Sequence, residues 1–197
     1  MNVVIIKYNA GNIFSVESAL KRLGVSPMIT ADAEEIENAD KVIFPGVGEA
    51  GSTMKHLRAT GLDVVIRRLR QPVLGICLGM QLMCSHSEEG DAECLNIFDV
   101  GVKKFSSESG GEKIPHMGWN TIAGLKSPLF EAIPENEYVY FVHSYYVEPC
   151  RHTIAETDYI LPFSAALNKD NFYATQFHPE KSGSVGEAIL KNFLFNI

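Results

Sequence analysis

A cysteine at position 77 stands between Gly75 and Gly79, and a histidine at position 178 stands two residues before Glu180. Thiol, imidazole and carboxylate are the three groups that nucleophilic acyl chemistry needs, for attack, proton transfer and orientation of the base. Around Cys77 the chain reads PVLGICLGMQL, an apolar run of strand type that passes into a helical one. A thiol attacks carbonyls well only as an exposed thiolate, and a helix N-terminus favours that form through its dipole and free amides. An arbitrary cysteine is most often a small core hydrophobe. The two glycines reverse that presumption, because G-x-C-x-G is the spacing of a nucleophile elbow, a turn too sharp for bulkier neighbours. The amide of Leu78 would then face the developing oxyanion.

The run FYATQF ends at His178, and Pro179 fixes a turn that would bring Glu180 beneath the imidazole. A lone His-x-Glu is more often a pair of surface residues. Here its chain order and strand-end position complete what the elbow lacks. Pro45-Gly46-Val47-Gly48 also follows a strand-like run, and its glycines permit a peptide to turn an N–H toward a substrate. By itself that tetrapeptide serves a plain tight turn equally well. His143-Ser144-Tyr145 ends a further strand, YVYFV, whereas His56, His86, His116 and His152 have no partner spacing that points to chemistry.

These residues need a frame. Strand-like runs at Asn2 to Tyr8, Lys41 to Phe44 and from Pro72 alternate with helical patterns, one entered at Asn12 and stopping at Gly24, the other spanning Glu49 to Leu69. That alternation predicts an α/β fold with an open, mostly parallel sheet flanked by helices. The second half adds an antiparallel portion, with strands at Ile97 to Phe105, Tyr138 to Val142, Thr153 to Thr157, Phe163 to Leu167 and Phe172 to Phe177, and a hairpin turn at Asn168 to Asn171. A last helix, Ser184 to Phe195, opens with capping-box spacing between Ser184 and Glu187. Ligands of such sheets sit at the carboxyl ends of the parallel strands.

With 197 residues, 46% hydrophobic, the chain is sized for one domain, 1–197. A formal charge of -7 without a basic run argues against a nucleic-acid partner. No apolar run is long enough to span a bilayer, and the start MNVVIIKY lacks the features of a signal peptide, so a cytoplasmic location is expected. Cys77, Cys84, Cys94 and Cys150 show neither a CxxC pair nor metal-ligand spacing, so thiols are expected rather than disulfides or zinc.

Together, GICLGMQ and the distant HPE resemble the class I glutamine amidotransferases, which hydrolyse glutamine to glutamate and ammonia and have a flavodoxin-like fold. The resemblance implies Cys77 as the nucleophile that forms a glutamyl thioester, His178 as the base and Glu180 as its orienter, with no metal and no cofactor. It also implies oxyanion donors at Gly46, Val47 and Leu78, and a glutamine pocket containing Gln81, His143, Ser144 and Tyr145. The elbow does not name the ammonia acceptor, since GICLGMQ also occurs in cytidine triphosphate synthase. A chain without a GxxxxGK[ST] loop or room for a synthetase domain must pass its ammonia to another polypeptide.

The stretch PHMGWN, Pro115 to Asn120, together with PGVG, YFVHSY and HPEKSG, is similar end to end to the glutaminase subunits of imidazole glycerol phosphate synthases. That similarity implies a heterodimer with a (β/α)8 cyclase subunit, and ammonia travelling through the barrel to a ribonucleotide intermediate. The products would be imidazole glycerol phosphate, for histidine biosynthesis, and an aminoimidazole carboxamide ribotide. It places Asn12, Trp119, Asn120 and Lys181 on the partner-facing side, although a tryptophan beside Met117 and Gly118 reads equally as core. Supply of ammonia to a different synthase, as in sugar amination, is the alternative; an idle assembly subunit is a third reading, against which the intact triad argues. An ungated glutaminase would waste glutamine, so the oxyanion site is expected to complete only with the partner and its nucleotide bound. One departure is Lys7-Tyr8-Asn9-Ala10-Gly11-Asn12, where the family commonly has an acidic residue in DYGxGN. Contacts of this turn with glutamine or the partner are expected to differ accordingly.

Overall fold

The computed structural model describes residues 1–8, 12–106 and 112–197. Asn9, Ala10 and Gly11 of the first turn therefore lie outside the described residues, while Lys7 is exposed. Three apolar runs form the centre of the fold: β1 (Val3–Ile6), β3 (Lys41–Phe44) and β4 (Val73–Ile76), each buried along its whole length. Continuous burial is what a parallel strand covered on both faces requires. Alternate side chains go to opposite layers: Val4, Ile6, Val42 and Phe44 join one core cluster, and Val3, Ile5 and Ile43 the other.

The main sheet has seven strands, in the order β11-β12-β13-β4-β3-β1-β2. Its parallel part adds β2 (Met28–Thr30) and β13 (Phe172–Thr175), and β11 (Thr153–Tyr159) and β12 (Leu161–Lys169) extend it antiparallel. The parallel order 2-1-3-4 followed by a fifth strand is the flavodoxin-like one. Lys169 pairs with Phe172 across a two-residue turn in which Asp170 takes a φ of 53°.

Helix α1 (Ile13–Arg22) follows Asn12, and Gly61, at a φ of 74°, divides the expected long helix into α3 (Ala50–Thr60) and α4 (Leu62–Arg68). The left-handed backbone at that glycine ends one helix and lets the chain turn into the next. The short α2 (Ala33–Glu37) is capped by the Asp32 carboxylate, which accepts from the amides of Glu34 and Glu35. Neither α2 nor β2 spans enough residues to show a period. Helix α5 (Leu78–Met83) starts directly after Cys77.

The expected capping box on the last helix is corrected. Helix α6 (Gly183–Phe195) begins before Ser184, with Ser182 at the cap position. Ser182 Oγ instead donates to the His178 carbonyl and accepts from the Tyr140 amide, while Glu187 pairs with Arg22. A small sheet, β10-β7-β5-β6, joins β5 (His86–Ser87), β6 (Ala92–Glu93), β7 (Gly101–Lys104) and β10 (Tyr145–Val147). Separately, β8 (His116–Ile122) and β9 (Glu137–His143) form an antiparallel ribbon. Among the described residues no helix is long and apolar enough to cross a membrane.

Candidate active site

Four neighbouring parallel strands each end at a piece of one site: β13 leads to His178, β4 to Cys77, β3 to Pro45-Gly-Val-Gly48, and β1 to Tyr8 and Asn12. Cys77 takes a φ of 53° and a ψ of -107°, a conformation that L-residues rarely adopt. The elbow closes only because its flanking residues have no side chains. A Cβ on Gly79 would stand 2.0 Å from the Phe44 carbonyl oxygen, and one on Gly75 would stand 2.9 Å from Met83 Sδ. The expected elbow is therefore present, and the glycines act through close approach rather than positive φ.

His178 and Glu180 are buried, with His178 Nδ1 2.8 Å from Glu180 Oε1. Burial alone would lower the imidazole pKa. Hydrogen bonding to Cys77 and Glu180, reinforced by their charges, outweighs that cost and brings it up to about 10. At neutral pH the ring is therefore a cation, able to face a thiolate and to protonate a leaving amine. With Nδ1 held by Glu180, His178 Nε2 is the nitrogen left to interact with Cys77 and to take part in chemistry. Gly186 lets α6 pack onto this turn, since a Cβ there would meet the Pro179 carbonyl oxygen at 1.9 Å.

Asn12, expected at the partner-facing edge, is drawn inward: its Nδ2 donates to Glu180 Oε1 at 2.6 Å. Its side chain does not cap α1, and its backbone is left-handed, at a φ of 72°, rather than the extended conformation usual at a cap. Gln176 Nε2 lies 3.7 Å from Cys77 Sγ and its Oε1 accepts from Gln81 Nε2 at 3.0 Å, so Gln81 supports the nucleophile through a neighbour. The same Gln81 nitrogen reaches the Tyr145 carbonyl at 3.2 Å.

Gly46, Val47 and Leu78, expected as oxyanion donors, sit together, but the segment does not present the Val47 N–H to the elbow. The amide of Leu78 donates to the Gly46 carbonyl at 3.4 Å, so that carbonyl, and not the Val47 N–H, is turned toward the elbow. Beside it opens a cleft of about 320 Å³ with Cys77 at its base, lined by Val47, Gln81, Glu89, Ser144 and Tyr145 among others. His143 also borders the cleft, but both ring nitrogens are engaged, Nδ1 with the Tyr145 carbonyl at 2.7 Å and Nε2 with His116 Nδ1 at 3.0 Å. It is a wall of the pocket with no free polar atom for a ligand. Glu89, unremarked in the sequence, is the one carboxylate lining the cleft among the described residues. Burial is the main cause of its raised pKa, opposed by the Ala50 amide it accepts from and reinforced by Glu49.

The family model for class I glutamine amidotransferases matches residues 4–197. The imidazole glycerol phosphate synthase subunit HisH of Bacteroides thetaiotaomicron is 69% identical over 194 residues, covering 98% of this chain and 99% of that one. The subunit of the same name from Idiomarina loihiensis is 48% identical over 195 residues, covering 98% and 97%. The chain belongs to the HisH family of class I glutamine amidotransferases. A solved structure of a glutamine amidotransferase has the same fold, with a TM-score of 0.75 at 19% identity, covering 98% of this chain and 97% of that one.

In this glutamine amidotransferase the β8-β9 ribbon separates residues that the sequence grouped together. Successive strand residues face opposite sides, and the register pairs Trp119 with Tyr140 and Asn120 with Val139. Trp119 is 55% exposed, with Met117 and Tyr138 exposed on the same face, and Lys181 Nζ is 6.0 Å from the Tyr140 ring centroid. Asn120 turns the other way, donating to the Asp158 carbonyl at 3.0 Å and reaching His116 Nε2 at 3.4 Å. The two neighbours thus lie on opposite faces of the ribbon, with Met117 and Tyr138 on the face of Trp119. A period-2 reading of PHMGWN would have separated them, but the glycine and proline obscured the strand.

Proposed function

We propose that this glutamine amidotransferase hydrolyses glutamine at Cys77 and supplies ammonia to the (β/α)8 cyclase subunit of an imidazole glycerol phosphate synthase, in the cytoplasm. The observation that carries the chemistry is the buried, charged His178, fixed by Glu180 and facing a cysteine held at a strained elbow. Cys77 Sγ attacks the side-chain amide carbon of glutamine, forming a tetrahedral oxyanion. As the C–N bond breaks, the proton on His178 Nε2 passes to the departing nitrogen, which leaves as ammonia. His178, now neutral, takes a proton from water, whose hydroxide attacks the thioester. Glutamate leaves, and the thiolate and imidazolium are restored.

Ser144, Tyr145 and Gln81 border the bound amino acid, and Glu89 receives its ammonium group, being the one anionic lining residue among those described. The amides of Leu78 and Val47 stabilise the oxyanion once the Gly46–Val47 peptide has turned, releasing the Gly46 carbonyl from Leu78. Partner binding drives that turn, so the isolated subunit is a slow glutaminase. The identity of the curated relatives, rather than the elbow, favours the imidazole glycerol phosphate acceptor over another synthase.

Inactivation by a glutamine analogue with a reactive carbon beside the carbonyl tests the chemistry. One equivalent should attach to Cys77, located by peptide mass, and glutamine should protect against it. Labelling that survives Cys77→Ala, or labelling without protection, would remove Cys77 from the role.

A further inference from the structure

Tyr8, two residues beyond the end of β1, is buried beneath the oxyanion segment. Its ring lies tilted against Phe44, the last residue of β3, with centroids 5.3 Å apart. Its hydroxyl donates to the carbonyl of Pro45. The same hydroxyl is 2.7 Å from where a Cβ on Gly46 would be, and Gly79 N and Leu78 Cβ are each 2.8 Å from that point. Gly46 is thus packed closely against both Tyr8 and the elbow. Burial, followed by the charge at Cys77, pushes the phenol pKa well above its ordinary value, so Tyr8 stays a neutral donor across the working pH range.

Two contacts therefore hold the segment with its Gly46 carbonyl turned in. One is the long 3.4 Å bond from the Leu78 amide. The other is the enclosed bond from Tyr8, one peptide earlier. The Tyr8 bond fixes the Pro45–Gly46 peptide, which adjoins the Gly46–Val47 peptide across the Gly46 α-carbon, so a turn that rotates both peptides has to break it.

We infer that Tyr8 is a positioning residue that latches the oxyanion segment in its resting orientation, through its hydroxyl on the Pro45 carbonyl. The inference rests on the gated-glutaminase reading above. Tyr8→Phe keeps the ring packing and removes only the latch. Glutamate release is measured for wild type and variant, alone and with a cognate cyclase carrying its ribonucleotide; in parallel, Cys77 alkylation by iodoacetamide, which needs no oxyanion donor, is timed.

Loss of one such bond should raise the unstimulated kcat of Tyr8→Phe by about tenfold. Stimulated kcat, the KM for glutamine and the alkylation rate should stay within about twofold of wild type, so the stimulation ratio falls by the same factor of about ten. An unstimulated kcat equal to or below that of wild type, with wild type itself strongly stimulated, would overturn the latch and leave gating standing. A rise matched by an equal rise in alkylation would place the effect on the thiol and also overturn it. Wild type that is fully active alone would remove the gating reading, and the latch with it.

Discussion

His178 is buried and yet cationic, because two neighbours stabilise its charge by more than desolvation costs. In the proposed mechanism the imidazolium protonates the leaving ammonia, so activity should fall as pH rises through the His178 pKa near 10. Glu180→Gln removes the carboxylate that supports the charge. Its pKa should move back toward the ordinary 6.5, the basic limb of the kcat/KM profile should move to lower pH, and kcat should drop about 10²- to 10⁴-fold. An unmoved basic limb would detach Glu180 from the titration. Since the folded-state pKa is raised, the stabilisation by His178 is complete below pH 6.5 and is lost as pH climbs toward 10. The gap in Tm between wild type and His178→Ala should therefore narrow over that range. Glu89→Gln should raise the KM for glutamine about tenfold or more with kcat little changed, as expected for lost binding of a charged group. The elbow and the His178–Glu180 pair were legible in sequence because flanking glycines and a proline-fixed turn are local signals. Glu89 was not, since nothing near it in sequence says that it faces the cleft, and the inward turn of Asn12 depends on a contact 168 residues away.

At the scale of elements, the site depends on contacts that exclude a side chain. Gly186 lies inside α6, where alanine ordinarily stabilises a helix by roughly 0.5–1 kcal/mol. Here the added Cβ would collide with the Pro179 carbonyl. Gly186→Ala should destabilise by about 1–3 kcal/mol, opposite in sign to propensity, and lower kcat by displacing the His178-Pro179-Glu180 turn. Denaturant unfolding and steady-state kinetics check both, and a stabilised, fully active variant would contradict the packing. The alternation of β1, β3 and β4 with helices was readable from continuous apolar runs. What was misread is physical in origin: β2 and α2 are too short for a period, Gly61 breaks a helix that periodicity carries through, and Ser182 displaces Ser184 at the start of α6 because its hydroxyl ties the helix to His178 and Tyr140.

For the whole molecule, the exposed face carrying Met117, Trp119 and Tyr138, with Lys181 reaching over Tyr140, lies on the same ribbon as Val142, whose carbonyl is 3.9 Å from Cys77 Sγ. The face proposed for docking and the proposed nucleophile thus meet at one ribbon. Trp119→Ala should weaken cyclase binding about 30-fold or more, the size of a central aromatic anchor, with unstimulated activity unchanged; titration calorimetry with the cyclase reads it. Unaltered affinity would move the interface elsewhere. The most direct measurement is glutamate release by the wild-type protein, alone and with a cognate cyclase loaded with its ribonucleotide, using Cys77→Ala as control. Slow turnover alone, strong stimulation in the complex and no turnover by the control are expected. Full turnover without the partner, or none gained with a competent cyclase, would contradict a glutaminase whose oxyanion site is completed by its synthase.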